Sequence, residues 1–130
     1  MQPLLNFFKP FCKQFYGPLL WTAITLVLLC LPGDSVPGQG MFNVPHLDKI
    51  VHILLFGGIV VSWGLYTNQR YKKAFILLRF ICGISILIGV VMEFVQVNFI
   101  PMRSFDVWDI VADFVGSVVA YYWVVRDVKK

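Results

Sequence analysis

Hydrophobic residues gather in four long blocks along the chain, and polar residues are confined to the gaps and block ends. The first block runs from about Phe15 to Leu31 and carries no charge. The others run from about Leu47 to Tyr66, from Ala74 to about Phe99, and from Val107 to Val125. Crossing ~30 Å of hydrocarbon takes about 20 residues of helix. The pattern therefore predicts an all-α, four-helix transmembrane bundle, with helices at about 15–31, 47–66, 74–99 and 107–125, in a single domain spanning 1–130. Proline and glycine at Leu31-Pro32-Gly33-Asp34 stop the first helix. A Pro/Gly-rich loop (Pro32 to Pro45), a basic turn (Thr67 to Lys73) and a tight Pro101-Met102-Arg103-Ser104 connection join the rest.

Composition agrees. Hydrophobic residues make up 58% of the 130 and charged residues 14%, against roughly half and a quarter in soluble domains. So few charges cannot cover that much apolar surface in water. The net charge of +4 is small and scattered, which argues against nucleic acid as a partner. Cys12, Cys30 and Cys82 are isolated thiols in apolar segments, with the spacing of neither a disulfide framework nor a zinc site. A signal peptide is the competing reading of the first block. No small-x-small cleavage site follows it, and Leu29 before Cys30 is too large for a lipoprotein signal, so a retained helix is favoured.

Charge sets an orientation. Lys9, Lys13, Arg70, Lys72, Lys73, Arg79, Arg126, Lys129 and Lys130 fall on one side of the predicted bundle, leaving only Lys49 and Arg103 opposite. By the positive-inside rule both termini are cytoplasmic, in a multi-pass protein. The acids do the reverse. Asp34, Asp48, Glu93, Asp106, Asp109 and Asp113 lie on or near the outer side, with His46 and His52. Acids contribute little to topology, so their concentration calls for its own explanation.

Spacing puts Asp48 and His52 on one face of the second helix, Glu93 and Gln96 on one face of the third, and Asp106, Asp109 and Asp113 in a stripe entering the fourth. In a bundle with short loops these faces can converge on one outward-opening pocket with Arg103 beside it. A charged group within a membrane helix costs from ~2.5 kcal/mol upward and normally marks function. The plainer alternative is capping: Asp106 or Asp109 favouring the dipole of the fourth helix, Arg103 salt-bridging Glu93, and Asp34 and His46 as loop residues.

Three chemistries suit such a pocket. A divalent cation could be held by Asp48, His52, Glu93 and Asp109 and engage phosphate. Glu93 or Asp109 could act as general acid or base. The charges could also bind a zwitterionic headgroup, with Arg103 as anion contact. Ser104 lacks an adjacent base and reads as a turn residue. The tryptophans and tyrosines read as an interfacial belt, and Gly57, Gly58, Gly64, Gly83, Gly89 and Gly116 as close-packing positions.

These residues also resemble a known family. Asp48-Lys49-Ile50-Val51-His52, followed by an apolar run with Phe56, is similar to the DKxxH opening of the VanZ-like membrane proteins. Glu93-x-x-Gln96, then Arg103, Asp109 and Gly116, resembles their E-x-x-Q…R…D…G signature, over about Leu47 to Ala120. Two positions depart from it: Asp113 stands where the family usually has Asn, and Ala120 replaces a second glycine. The resemblance implies a protein of the bacterial cytoplasmic membrane, in a family named for a link to teicoplanin resistance. It points to membrane lipids or a lipid-linked envelope precursor as partner, bound through Asp48, His52, Gln96, Arg103 and Asp113, and to no oligomeric state. An outer-leaflet metal-assisted hydrolase or transferase is the alternative. An ion-coupled carrier is disfavoured by the apolar inner halves of helices two to four.

Overall fold

The structure, a computed structural model, describes residues 6–32, 46–72 and 74–128. Asp34 and most of the Pro/Gly-rich loop lie outside the described residues, as do Lys73, Lys129 and Lys130. Every regular element among the described residues is helical: a 3-10 turn at Phe11–Lys13, then α1 (Tyr16–Leu29), α2 (Leu47–Arg70), α3 (Ala74–Phe99) and α4 (Val107–Val128).

The third predicted helix has the observed bounds, and the other three differ. α2 continues past Tyr66 to Arg70 because nothing breaks it: Thr67 Oγ1 donates to the Trp63 carbonyl at 3.0 Å and Gln69 Nε2 to the Leu65 carbonyl at 3.1 Å. Extended backbone at Tyr71 ends it. α4 likewise runs three residues beyond Val125. α1 is shorter than predicted, starting with Pro18 in its first turn and closing where the Cys30 N–H bonds the Leu26 carbonyl.

Length matters here. α2, α3 and α4 are long and apolar enough to cross a membrane. α1 has 14 residues, about 21 Å of helix, and does not reach that length alone. The expectation of four spanning helices is therefore met by three. Yet the segment containing α1 runs the length of the bundle. Gln69 Nε2 donates to the Lys9 carbonyl at one end, and Gln96 Nε2 to the Leu29 carbonyl at the other.

α2 is the central element, packed against α1, α3 and α4. Leu55, Phe56 and Ile59 meet Leu29 and Met92 in one core cluster, and Val60 meets Leu78, Ala120 and Val124 in a second. The outer surface is as apolar as the core: Leu54, Phe80, Leu87 and Val119 are all more than half exposed. In water such a surface would aggregate; hydrocarbon is its solvent.

α2 and α4 approach most closely where Gly116 faces the Ile53 backbone. A Cβ at Gly116 would lie 2.9 Å from Ile53 Cα, too near for any side chain. Gly89 of α3 is needed for a different reason, since the Asp113 side chain lies where its Cβ would go. Gly83, read from sequence as a packing glycine, has open space beside it.

Candidate functional site

One end of the bundle collects the charges. The first turn of α2 supplies Asp48 and Lys49, and the next turn supplies His52. The α3–α4 connection ends at Asp106, whose Oδ1 accepts the Trp108 N–H at 2.8 Å and so caps α4. Asp109 and Asp113 follow at one-turn spacing on the face of α4 turned into the bundle, and both are buried. Glu93 and Gln96 come from the buried face of α3.

Lys49 sits at the centre. Its Nζ donates to Asp106 Oδ2 at 2.5 Å, Asp109 Oδ1 at 2.7 Å and Asp48 Oδ2 at 2.8 Å, so the three protons of the ammonium meet three carboxylates. Asp109 continues inward, with Oδ2 3.9 Å from His52 Nε2. On its other side His52 Nδ1 lies 2.8 Å from Asp113 Oδ1. Glu93, 2% exposed, ties α3 to the α4 cap by accepting the Asp106 backbone N–H on Oε1 at 2.5 Å. A further polar contact lies deeper in the bundle, where the Ser85 and Ser117 hydroxyls meet at 3.0 Å. Below it Val60, Leu78 and Val124 close the core.

Five carboxyl groups thus gather around Lys49 and His52, so acidic side chains outnumber basic ones in the cluster. Asp106 stands just before the membrane-spanning part of α4. Its carboxyl is held below the ordinary Asp range, chiefly by the bond from Lys49 and further by the Trp108 N–H, against an opposing effect of partial burial.

Asp48, His52, Glu93, Asp109 and Asp113 are brought together from three helices, and the stripe geometry on α2, α3 and α4 is as the spacing implied. Gln96 and Arg103 face a different task. Gln96 Nε2 donates to the Leu29 carbonyl at 2.8 Å, and Arg103 Nε to the Leu31 carbonyl at 3.5 Å. These bonds satisfy carbonyls at the end of α1 that no later helical turn can reach. Arg103 stays within electrostatic reach of His52. The Arg103–Glu93 salt bridge offered by the capping alternative is not formed among the described residues; Glu93 is satisfied from the backbone instead. Asp106 combines both readings, cap and cluster member.

Lys49 stands in the DKxxH-like stretch and is one of two basic residues on the acid-rich side, yet the sequence alone gives it no role in the site. A lone lysine at that position, beside Asp48 and among four other carboxylates, is the signal that marked it. Its position also bears on metal binding. Among the described residues, the acids whose oxygens approach one another closely enough to share an ion are Asp48, Asp106 and Asp109, within 4.8 Å. Asp106 thus stands where the sequence had suggested His52 and Glu93, and the Lys49 ammonium takes the place of a cation between them.

Compared with known proteins, the chain matches no family model, no curated protein and no solved structure. The VanZ-like resemblance rests on the motif residues themselves.

Proposed function

We propose that this chain is a VanZ-like, multi-pass protein of the bacterial cytoplasmic membrane. In this reading it binds the polar head of a membrane lipid, or of a lipid-linked envelope precursor, at the outward end of its bundle. The supporting observation is the Lys49 cluster: a cation shared by three carboxylates, with Asp48 and Asp106 partly exposed and apolar helix surface all around. A headgroup ammonium would meet the carboxylates, and its phosphate Arg103 together with a Lys49 ammonium that gives up one carboxylate to reach it. Topology follows from the basic residues at the opposite end, Lys9, Arg70, Lys72, Arg79 and Arg126 among them. The 3-10 turn and α1 together make the first crossing, and both termini are cytoplasmic.

Thermal unfolding of the detergent-purified protein, with phosphatidylethanolamine or phosphatidylglycerol added, tests the reading. Stabilisation of the wild type by one headgroup class, absent in Lys49→Met and Asp109→Asn, is the expected result. Equal responses in all three proteins would discard it.

A second reading, an outer-leaflet hydrolase or transferase, is favoured by one observation. Asp113 holds Nδ1 of His52 and leaves Nε2 directed at Asp109, the arrangement by which a carboxylate orients a histidine base. Glu93 and Asp109 would then handle the proton. With Lys49 among the acids, a cation-assisted version requires the lysine to move aside. A carrier is supported least, because the polar contacts stop at Ser85 and Ser117 above an apolar core.

A further inference from the structure

Away from the charges, a cleft of about 430 Å³ runs along the seam between α2 and α4, closed on one side by α1 and the 3-10 turn. On α2 its lining extends from Ile53 to Ser62, and on α4 from Gly116 to Trp123. Gly57, Gly58 and Gly116 lie in its wall, where they let α2, α4 and Trp21 pack closely. The polar groups in its wall are already engaged: the Trp21 indole N–H donates to the Leu55 carbonyl at 3.0 Å, and the Ser62 hydroxyl to the Ile59 carbonyl at 3.1 Å. The Cys12 thiol is buried. The lining offers an occupant dispersion contacts and little else.

The cleft is elongated: its lining on α2 spans the nine-residue rise from Ile53 to Ser62, about 13.5 Å of helix. Position narrows the choice of occupant. Lys49 lies one turn before Ile53 on α2, and Asp109 lies two turns before Gly116 on α4. The Lys49–Asp109 bridge therefore closes the outer end of the same seam.

We propose that this cleft is a binding site for one acyl chain of a membrane lipid, in line with the Lys49 cluster, so that a single lipid places its head at the charges and a chain along the α2–α4 seam. The link to the head rests on the headgroup reading above; the chain site stands on the cleft alone. Bound this way, a lipid is recognised by both ends. The protein would then prefer an intact diacyl lipid over a soluble headgroup analogue of the same charge.

The test is photo-crosslinking in vesicles of phosphatidylethanolamine and phosphatidylglycerol, doped with phosphatidylethanolamine carrying a diazirine on one acyl chain. Labelled residues are mapped by mass spectrometry. Enrichment of at least fivefold at Ile53, Val61 and Trp123 over Phe80 and Leu87, which face lipid on α3, is expected. Leu54→Trp and Val119→Trp fill the cleft from exposed positions that the fold does not depend on, and should abolish that enrichment while leaving Phe80 and Leu87 labelled as before. Uniform labelling, or enrichment untouched by the tryptophans, would overturn the proposal, as would protein–protein crosslinks from the cleft. Enrichment that persists undiminished in Lys49→Met would support the chain site and remove the headgroup reading. Stabilisation by soluble phosphoethanolamine, lost in Lys49→Met, without cleft enrichment would do the opposite.

Discussion

Lys49 Nζ and Asp109 Oδ1 lie 2.7 Å apart, joining two helices that enter the bundle sixty residues apart in the chain. Asp109 is buried, and Lys49 only one-fifth exposed. The pair therefore exists at a depth where neither charge is well solvated alone. Removing one partner of such a pair leaves the other uncompensated, which costs more than the pair contributes.

Lys49→Met should accordingly destabilise the protein by about 3 kcal/mol, the low end of the range for breaking a buried ion pair, because the lysine keeps some access to solvent. Asp109→Asn alone should cost less, since Lys49 retains Asp48 and Asp106. The double variant should be more stable than the two single costs predict when added. Thermal or denaturant unfolding in detergent measures all three, and strict additivity would show that the two residues do not share the interaction.

The same lysine governs the response to ions. With its ammonium between Asp48, Asp106 and Asp109, the wild type should unfold at the same temperature with chelator, magnesium or calcium. Lys49→Ala leaves three carboxylates within 4.8 Å of one another, a set of oxygens suited to a hard divalent cation. That variant should gain stability on adding calcium, by several degrees in an unfolding scan. A calcium response in the wild type that Lys49→Ala lacks would reverse this account of the cluster.

Much of this arrangement was legible in the sequence, for reasons that differ between residues. The bounds of α3 follow from an apolar run flanked by a basic turn and a proline. The stripe Asp106, Asp109, Asp113 follows from helical periodicity alone. Lys49 was not legible in the same way, because its role depends on acids from α4 that periodicity cannot place beside α2. Gln96 and Arg103 show the same limit: their partners are the Leu29 and Leu31 carbonyls, and backbone acceptors at a helix end carry no side-chain signature. The extent of α1 does not follow from the apolar run, which continues from Phe15 to Leu31 while the helix closes at Cys30, a backbone feature that hydrophobicity does not report.

Glycines separate by what they face. Gly116→Ala places a methyl group against the Ile53 backbone, which cannot move aside without parting α2 from α4, and should cost at least ~2 kcal/mol. Gly89→Ala presses on the Asp113 side chain and should disturb the His52–Asp113 pair as well as stability. Gly83→Ala meets nothing within 4 Å and should be neutral, or stabilising by up to ~1 kcal/mol through helix propensity. Equal losses at positions 83 and 116 would show that the α2–α4 contact is not as close as described.

Thiol labelling tests the sidedness. Cys12 is buried, while Cys30 at the end of α1 is exposed. In intact cells a membrane-impermeant maleimide should therefore modify a variant keeping Cys30 alone, and leave one keeping Cys12 alone unmodified. A cysteine placed at Lys72, exposed at the opposite end, should react only after the membrane is opened. Labelling of the Lys72 position, but not Cys30, from outside would invert the proposed topology.

Acid should loosen the cluster from its exposed edge. The folded-state pKa of Asp106 lies below its ordinary 3.8, the Lys49 bond being the largest cause of lowering. The unfolded chain therefore binds this proton more readily than the folded one. The stabilising contribution is complete above about pH 5 and is lost as pH falls through 3.8 toward the folded value. Unfolding temperatures measured from pH 6 down to pH 3 should fall less steeply in Asp106→Asn than in the wild type. Lys49→Met should flatten the profile in the same way, because it removes the largest cause of the lowering and leaves the Asp106 carboxyl the Trp108 N–H and the charge of His52. A profile in Lys49→Met as steep as the wild type would mean that the acid sensitivity originates elsewhere in the molecule.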